Sequence, residues 1–177
     1  IMRKTILLAI AIGVVLIGLL VGGLGLVPLL YAATAQPGAQ PGGSTIPLAQ
    51  VVLTPSKDNT LYENVTGATS NGIGTFFFVG QTSGDSTRRG LLAFDLAGQV
   101  PAGATIVSAT LQLQMSRTSA GVTPIGLHRA LADWGEGTSD ASLNEGKGGD
   151  ATTGDATWLH TFHNTATWLT GGGDFVP

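Results

Sequence analysis

Apolar and polar positions alternate strictly near the middle of the chain. Ala109, Leu111, Leu113 and Met115 fall on one side of an extended backbone, and Thr110, Gln112, Gln114 and Ser116 on the other. Period two is the signature of a half-buried antiparallel strand. The first set should therefore face a core, with Gln112 and Gln114 outward, because a slip of one residue would invert every face. A denser run, Leu91-Leu92-Ala93-Phe94, precedes it and ends at Asp95. Such a run suits a strand covered on both faces, with Asp95 capping the following turn through backbone N–H groups. Pro101-Ala102-Gly103 supplies the turn between the two strands.

The rest of the chain after residue 50 has the same texture. Val51–Leu53, a weak Thr60–Glu63, a strong Thr75–Thr82 (TFFFVGQT), Ala156–Phe162 and Ala166–Leu169 read as strands. Ile125, Leu127 and Leu131 share one face, with His128 on the other. Ser70–Gly74 is a turn, and Gly135–Gly154 a polar, glycine-rich loop. Short strands at this spacing, with dense Gly and Pro punctuation, predict an all-β fold, an antiparallel β-sandwich.

One segment breaks the pattern. From Ile6 to Leu30 there is no charged residue, and Arg3 and Lys4 stand just before it. As a helix this run would be about 37 Å long, enough to cross a hydrocarbon core of about 30 Å. It is also longer than an ordinary signal-peptide core, and Ala33-Thr34-Ala35 offers a small-residue cleavage site. Residues 1–35 thus form the one expected helix, a cleaved signal peptide or a retained membrane anchor. Residues 36–49 are a flexible Pro/Gly/Gln linker, and 50–177 are the β domain. Both alternatives export everything after Ala35, as a secreted or cell-surface protein.

Charge and cysteine narrow the partners. The 177 residues carry a net charge of −3, and loss of Arg3 and Lys4 with the first segment leaves six basic side chains against 11 acidic ones. No basic patch remains for nucleic acid. With no cysteine there is neither a disulfide framework nor a thiolate metal site.

Four stretches, taken in order, resemble the DNRLRE domain of bacterial and archaeal surface proteins. They are Asp58-Asn59 with Ser70-Asn71-Gly72; Arg89–Leu96 ending in Phe94-Asp95-Leu96; Pro101–Leu113; and Asp133-Trp134-Gly135-Glu136-Gly137-Thr138. Together they span roughly residues 57–175. The resemblance implies a jelly-roll-like sandwich similar to carbohydrate-binding modules, some of which bind acidic polysaccharide. It also implies further strands after Phe175, so the domain is expected to be truncated, with apolar surface near its C-terminus.

Candidate chemistry is sparse. Trp158 and Trp168 occupy two copies of Ala-Thr-Trp-Leu, and a hairpin centred on His163 would pair them directly. Paired indoles on one face, with His160 beside them, would make a stacking platform for a polysaccharide or cell-surface glycan. The competing reading is a cross-strand aromatic pair in the core. An acidic glycan would need calcium or Arg88, Arg89, Arg117 and Arg129, given the repulsion from a negative chain. Asp133, Glu136 and Asp140, with Asp150 and Asp155 beyond, offer oxygen ligands for a structural calcium, although no EF-hand spacing is present. As ordinary solvated acids they need no metal. Asp133 and Glu136 could also be cast as a glycosidase pair, but no nucleophile elbow, zinc motif or P-loop accompanies them. Gly172-Gly173-Asp174-Phe175 resembles a cyclase signature but lacks its Glu. The sequence therefore predicts a non-enzymatic surface module, carbohydrate-binding or adhesive. The alternatives are a structural spacer of a larger surface protein and, last, a fragment of a polysaccharide hydrolase or lyase.

Overall fold

The computed structural model describes residues 2–13 and 48, by backbone alone, and 49–177. Among the described residues eleven strands run in chain order: β1 Met2–Gly13, β2 Leu48–Leu53, β3 Lys57–Tyr62, β4 Thr69–Ser70, β5 Phe76–Phe77, β6 Gly80–Gln81, β7 Thr87–Ala93, β8 Thr105–Met115, β9 Gly149–Asp150, β10 His160–Phe162 and β11 Ala166–Thr167. Among the described residues the only helical element is a short 3₁₀ turn, Ser142–Asn144. Every pairing is antiparallel. One sheet places β1 between β2 and β8, with β5 also on β1; a second has the order β3-β7-β6. The pairs β4-β9 and β10-β11 complete the set. The all-β expectation holds.

The ladder of β3 and β7 sits at the centre. Its six pairs run from Lys57↔Ala93 to Tyr62↔Arg88. Alternation sends Leu61, Leu91 and Ala93 to one face, where they pack with Trp134, Ala156, Trp158 and Trp168. Leu92 goes to the other face, with Phe77, Val79, Phe94, Leu111 and Leu113. The run Leu91–Phe94 is thus covered on both sides, as its lack of alternation predicts.

Several expectations change. The two arms around Pro101–Gly103 are both strands, and the turn closes with Ala104 N–H on the Pro101 carbonyl at 3.1 Å. They belong to different sheets, however, since β7 pairs β3 and β6 while β8 pairs β1. On β8, Leu111 and Leu113 are half-buried and Gln112 and Gln114 exposed, so the phase is as expected. Ala109 and Met115 are nevertheless exposed, Met115 at 58%. Among the described residues, the layer around Phe77 reaches only Leu111 and Leu113 of β8.

TFFFVGQT yields only the two-residue strands β5 and β6. The Phe78 N–H turns to Thr60 Oγ1 at 2.9 Å instead of a ladder partner, and Gly80 adopts φ +122°, a conformation that breaks a strand. Ile125–Leu131 makes a single bridge, Ala130↔Phe175. Asp95 does cap its turn, accepting the Ala97 N–H at 2.9 Å.

The apolar N-terminal pattern predicts a helix, but its first part is strand β1. Extended, this segment meets the edges of β2 and β8 at once, from Leu8↔Leu53 and Leu8↔Leu111 to Gly13↔Leu48 and Gly13↔Thr105. A helix would leave both rows of backbone donors and acceptors open. The remainder of the apolar run, the cleavage pattern and nearly all of the linker lie outside the described residues. Among those described, no helix is long and apolar enough to cross a membrane.

Candidate functional site

Trp158 and Trp168 do not pair as expected. The β10-β11 register sets His160 opposite Thr167, and a shift follows before Phe162↔Ala166. The Trp168 N–H reaches the Leu159 carbonyl at 3.1 Å, so Leu159, one residue from Trp158, stands across from Trp168. Trp168 is 5% exposed, and its indole N–H donates to the Thr157 carbonyl at 2.9 Å. An indole held in this way cannot offer a face to a sugar. Trp158 is half-buried against the same cluster, with the Arg89 guanidinium 5.1 Å from its ring. His160 turns Nδ1 to Thr157 Oγ1 at 2.9 Å and lies edge-on to His163, with ring centroids 5.0 Å apart. Two of the three proposed sugar contacts are therefore committed to internal bonds, and Trp158 is capped by a cation.

The acidic loop does not gather into a cation site. Asp133 Oδ1 accepts from Lys57 Nζ and from the Trp134 N–H, at 2.6 and 2.8 Å. These two donors, Lys57 first, hold the Asp133 carboxyl below the usual carboxylate range. Glu136 Oε1 accepts the Asp58 N–H at 3.0 Å, and Asp140 Oδ1 the Ser142 N–H at 2.7 Å. Each carboxylate thus serves a different backbone or cation. Among the described residues no group of three or more His, Asp or Glu side chains is placed to hold a metal ion. Asp133 and Glu136, the residues of the possible acid/base pair, are likewise engaged apart, Asp133 by Lys57 and the Trp134 N–H and Glu136 by the Asp58 N–H.

What the loop does build is a buried polar knot against β3. Asn59, 1% exposed, donates from Nδ2 to Ser70 Oγ and to the Glu136 carbonyl, both at 2.9 Å. Its Oδ1 accepts the Thr60 N–H at 2.7 Å. Ser70 Oγ donates to the Ala156 carbonyl at 3.0 Å, and Ser139 Oγ accepts the Gly72 N–H at 3.0 Å. Asn71 joins Glu145 Oε2 at 3.1 Å, and Glu145 also receives the Phe76 N–H at 2.8 Å. Fully buried Asp155 accepts Thr138 and Thr152 N–H groups at 2.8 and 2.6 Å. Gly137, at φ +72°, lies against this carboxyl, where any Cβ would collide with it. Lys57 adds its bonds to Asp133 and to the Trp134 carbonyl, with its ammonium 4.6 Å from the Trp134 ring.

Two of the stretches singled out in the sequence, 58–72 and 133–138, meet at this knot. Their polar side chains satisfy buried backbone groups, which must be paired or carry a large desolvation cost. Asp174 has a similar local use, its two oxygens accepting the Leu169 and Thr170 N–H groups at 2.8 and 2.9 Å.

A second feature was not visible in the sequence. Arg89 lies 5.0 Å from the Phe175 ring as well as near Trp158, and it donates to the Gly172 carbonyl at 2.6 Å. It borders an apolar cavity of about 340 Å³ that also touches Phe77, Leu111, Ile125 and His128. His128 contacts the Val176 carbonyl through Nδ1 at 2.8 Å and packs on Phe175. These partners come from five separate parts of the chain, so no local motif could have announced them.

No match is found. That holds for protein family models, for curated proteins and for solved structures.

Proposed function

We propose that this chain is a non-catalytic β-sandwich module of an exported surface protein, whose role is structural or adhesive. One observation carries the reading. Most of the side chains that could have formed a sugar platform, a calcium site or an acid/base pair are instead bonded into the fold, with Trp168 in the core, His160 on Thr157, and Asp133, Glu136 and Asp140 on separate partners. Export rests on Arg3 and Lys4 ahead of the uncharged run from Ile6 to Leu30. Closure as a jelly-roll-like sandwich of the DNRLRE kind is supported by the antiparallel sheets and the two apolar layers flanking β7.

Glycan binding remains as a second reading because of Trp158, the one tryptophan only half-buried. A glycan-array screen of the full chain, with and without calcium, separates the two. The structural role predicts no retained glycan. Retention that Trp158→Ala abolishes, with the β-type circular dichroism spectrum unchanged, would replace it with the carbohydrate-binding role. For export, a reporter active only outside the cytoplasm and fused after Gln50 should be active, and should lose activity when Arg3 and Lys4 become acidic. Activity indifferent to those changes would count against the signal assigned to residues 1–35.

A further inference from the structure

Among the described residues, strand β7 is fully paired on one side and nearly bare on the other. β3 covers it from Arg88 to Ala93, whereas β6 meets only Thr87 and Arg88. The Thr87 and Ala93 carbonyls accept from the β3 side, from the Glu63 and Ser56 N–H groups at 3.0 and 2.8 Å. Antiparallel alternation then turns the backbone groups of Gly90 and Leu92 the opposite way. Among the described residues nothing bonds to those groups.

The 340 Å³ cavity lies at this edge. Leu61, Leu91 and Trp168 line it from one face of the sheet, and Phe77, Leu92 and Leu111 from the other. A space touching both faces of one strand has to wrap round that strand's edge. Its far wall includes Ile125 and Leu127, which are 55% and 77% exposed and make no ladder of their own.

We propose that this slot binds an extended apolar peptide segment of a partner protein, which adds to the sheet beside Gly90–Ala93. Two observations select a strand over an apolar small molecule. Hydrocarbon would fill the walls but leave the Gly90 and Leu92 amides unmet, whereas a peptide backbone satisfies both. The free edge is also about 13 Å long at 3.3 Å per residue, a useful length for a short added strand. Alternate side chains of the incoming segment would then point to the two apolar faces.

The test uses the full chain and a soluble peptide of alternating valine and threonine, about seven residues long to span the edge. Its partner probe is the same peptide with alternate backbone nitrogens methylated, which keeps the side chains and removes the donors. The plain peptide should bind, slow hydrogen exchange at the Gly90 and Leu92 amides, and bind at least tenfold more tightly than the methylated form. Leu127→Lys, on an exposed side chain, should weaken the plain peptide without altering the spectrum of the free chain. Equal binding of the two peptides would overturn the proposal, since it would show apolar adhesion alone. So would no binding, or Gly90 and Leu92 amides already protected in the free chain, which would mean a second copy or another segment covers the edge. Any of these would leave the structural role intact.

Discussion

β3 and β8 show opposite relations between pattern and burial. β3 reads Lys-Asp-Asn-Thr-Leu-Tyr, with no useful alternation, yet its last five residues are buried. β8 has the clearest alternation in the chain, yet only Leu111 and Leu113 are even half-buried. Alternation decides which side of a strand faces inward; it does not decide whether anything covers that side. On β3 the cover is the 133–168 region, held down by Asn59, Ser70 and Asp155 and filled by Trp134 and Trp168. Among the described side chains, β8 receives only the patch around Phe77.

The widest gap should appear on removing the cover of β3. Trp168→Ala deletes a side chain that packs on Leu61 and bonds the Thr157 carbonyl. Losses of about 3–5 kcal/mol are typical for such truncations, and urea unfolding would measure it. A change below about 1 kcal/mol would show that Trp168 is not core.

Next in size is the knot itself. Asn59→Ala leaves the Glu136 carbonyl, the Ser70 hydroxyl and the Thr60 N–H each short of a buried partner and should cost about 3 kcal/mol, roughly 1 kcal/mol for each unmet group. Amide exchange in residues 133–157 should rise with it. If exchange rises only globally, the knot does not act as the local clamp on β3.

Leu61→Ala and Leu111→Ala sharpen the contrast between otherwise similar residues. Leu61 is 1% exposed and should cost about 2–5 kcal/mol, while half-buried Leu111 should cost no more than about half that. Equal losses would mean that β8 is covered in solution by something more than the Phe77 patch.

The sequence made the strand character and the phase of β8 legible because period two is written in consecutive residues. It also located the 58–72 and 133–138 stretches, but not what they do. Asn59 and Glu136 are 77 positions apart, and their contact exists only once β3 and the loop are folded together. A polar run such as Asp58-Asn59-Thr60 looks like a surface strand until its bonds are known. The pairing of Trp158 with Trp168 failed for a smaller reason, a one-residue shift in the β10-β11 ladder that symmetry about His163 could not foresee. The apolar start of the chain was ambiguous in another way, since an uncharged run satisfies a helix or a strand equally until neighbouring edges are known.

The smallest effect lies at the outer margin of the covered side. Lys57 and Asp133 join β3 to the loop at 2.6 Å, but the Asp133 side chain is 78% exposed, so solvent screens the pair. Asp133→Asn should therefore cost no more than about 1 kcal/mol near neutral pH. Its pH dependence identifies the cause. The Lys57 bond and the Trp134 N–H depress the native Asp133 pKa, so the native state binds the proton less readily than the unfolded chain. The stabilisation is then complete above the ordinary aspartate value of about 3.9 and fades as pH falls through the lower native value. Glu63 shifts in the same direction through the Thr87 N–H, so the comparison must be wild type against variant at each pH. The difference in urea midpoint should shrink steadily below about pH 4 and also in about 1 M salt. If instead it persists unchanged into strong acid, the contact works through packing on Trp134, and charge pairing is not what ties the loop to β3 at this point.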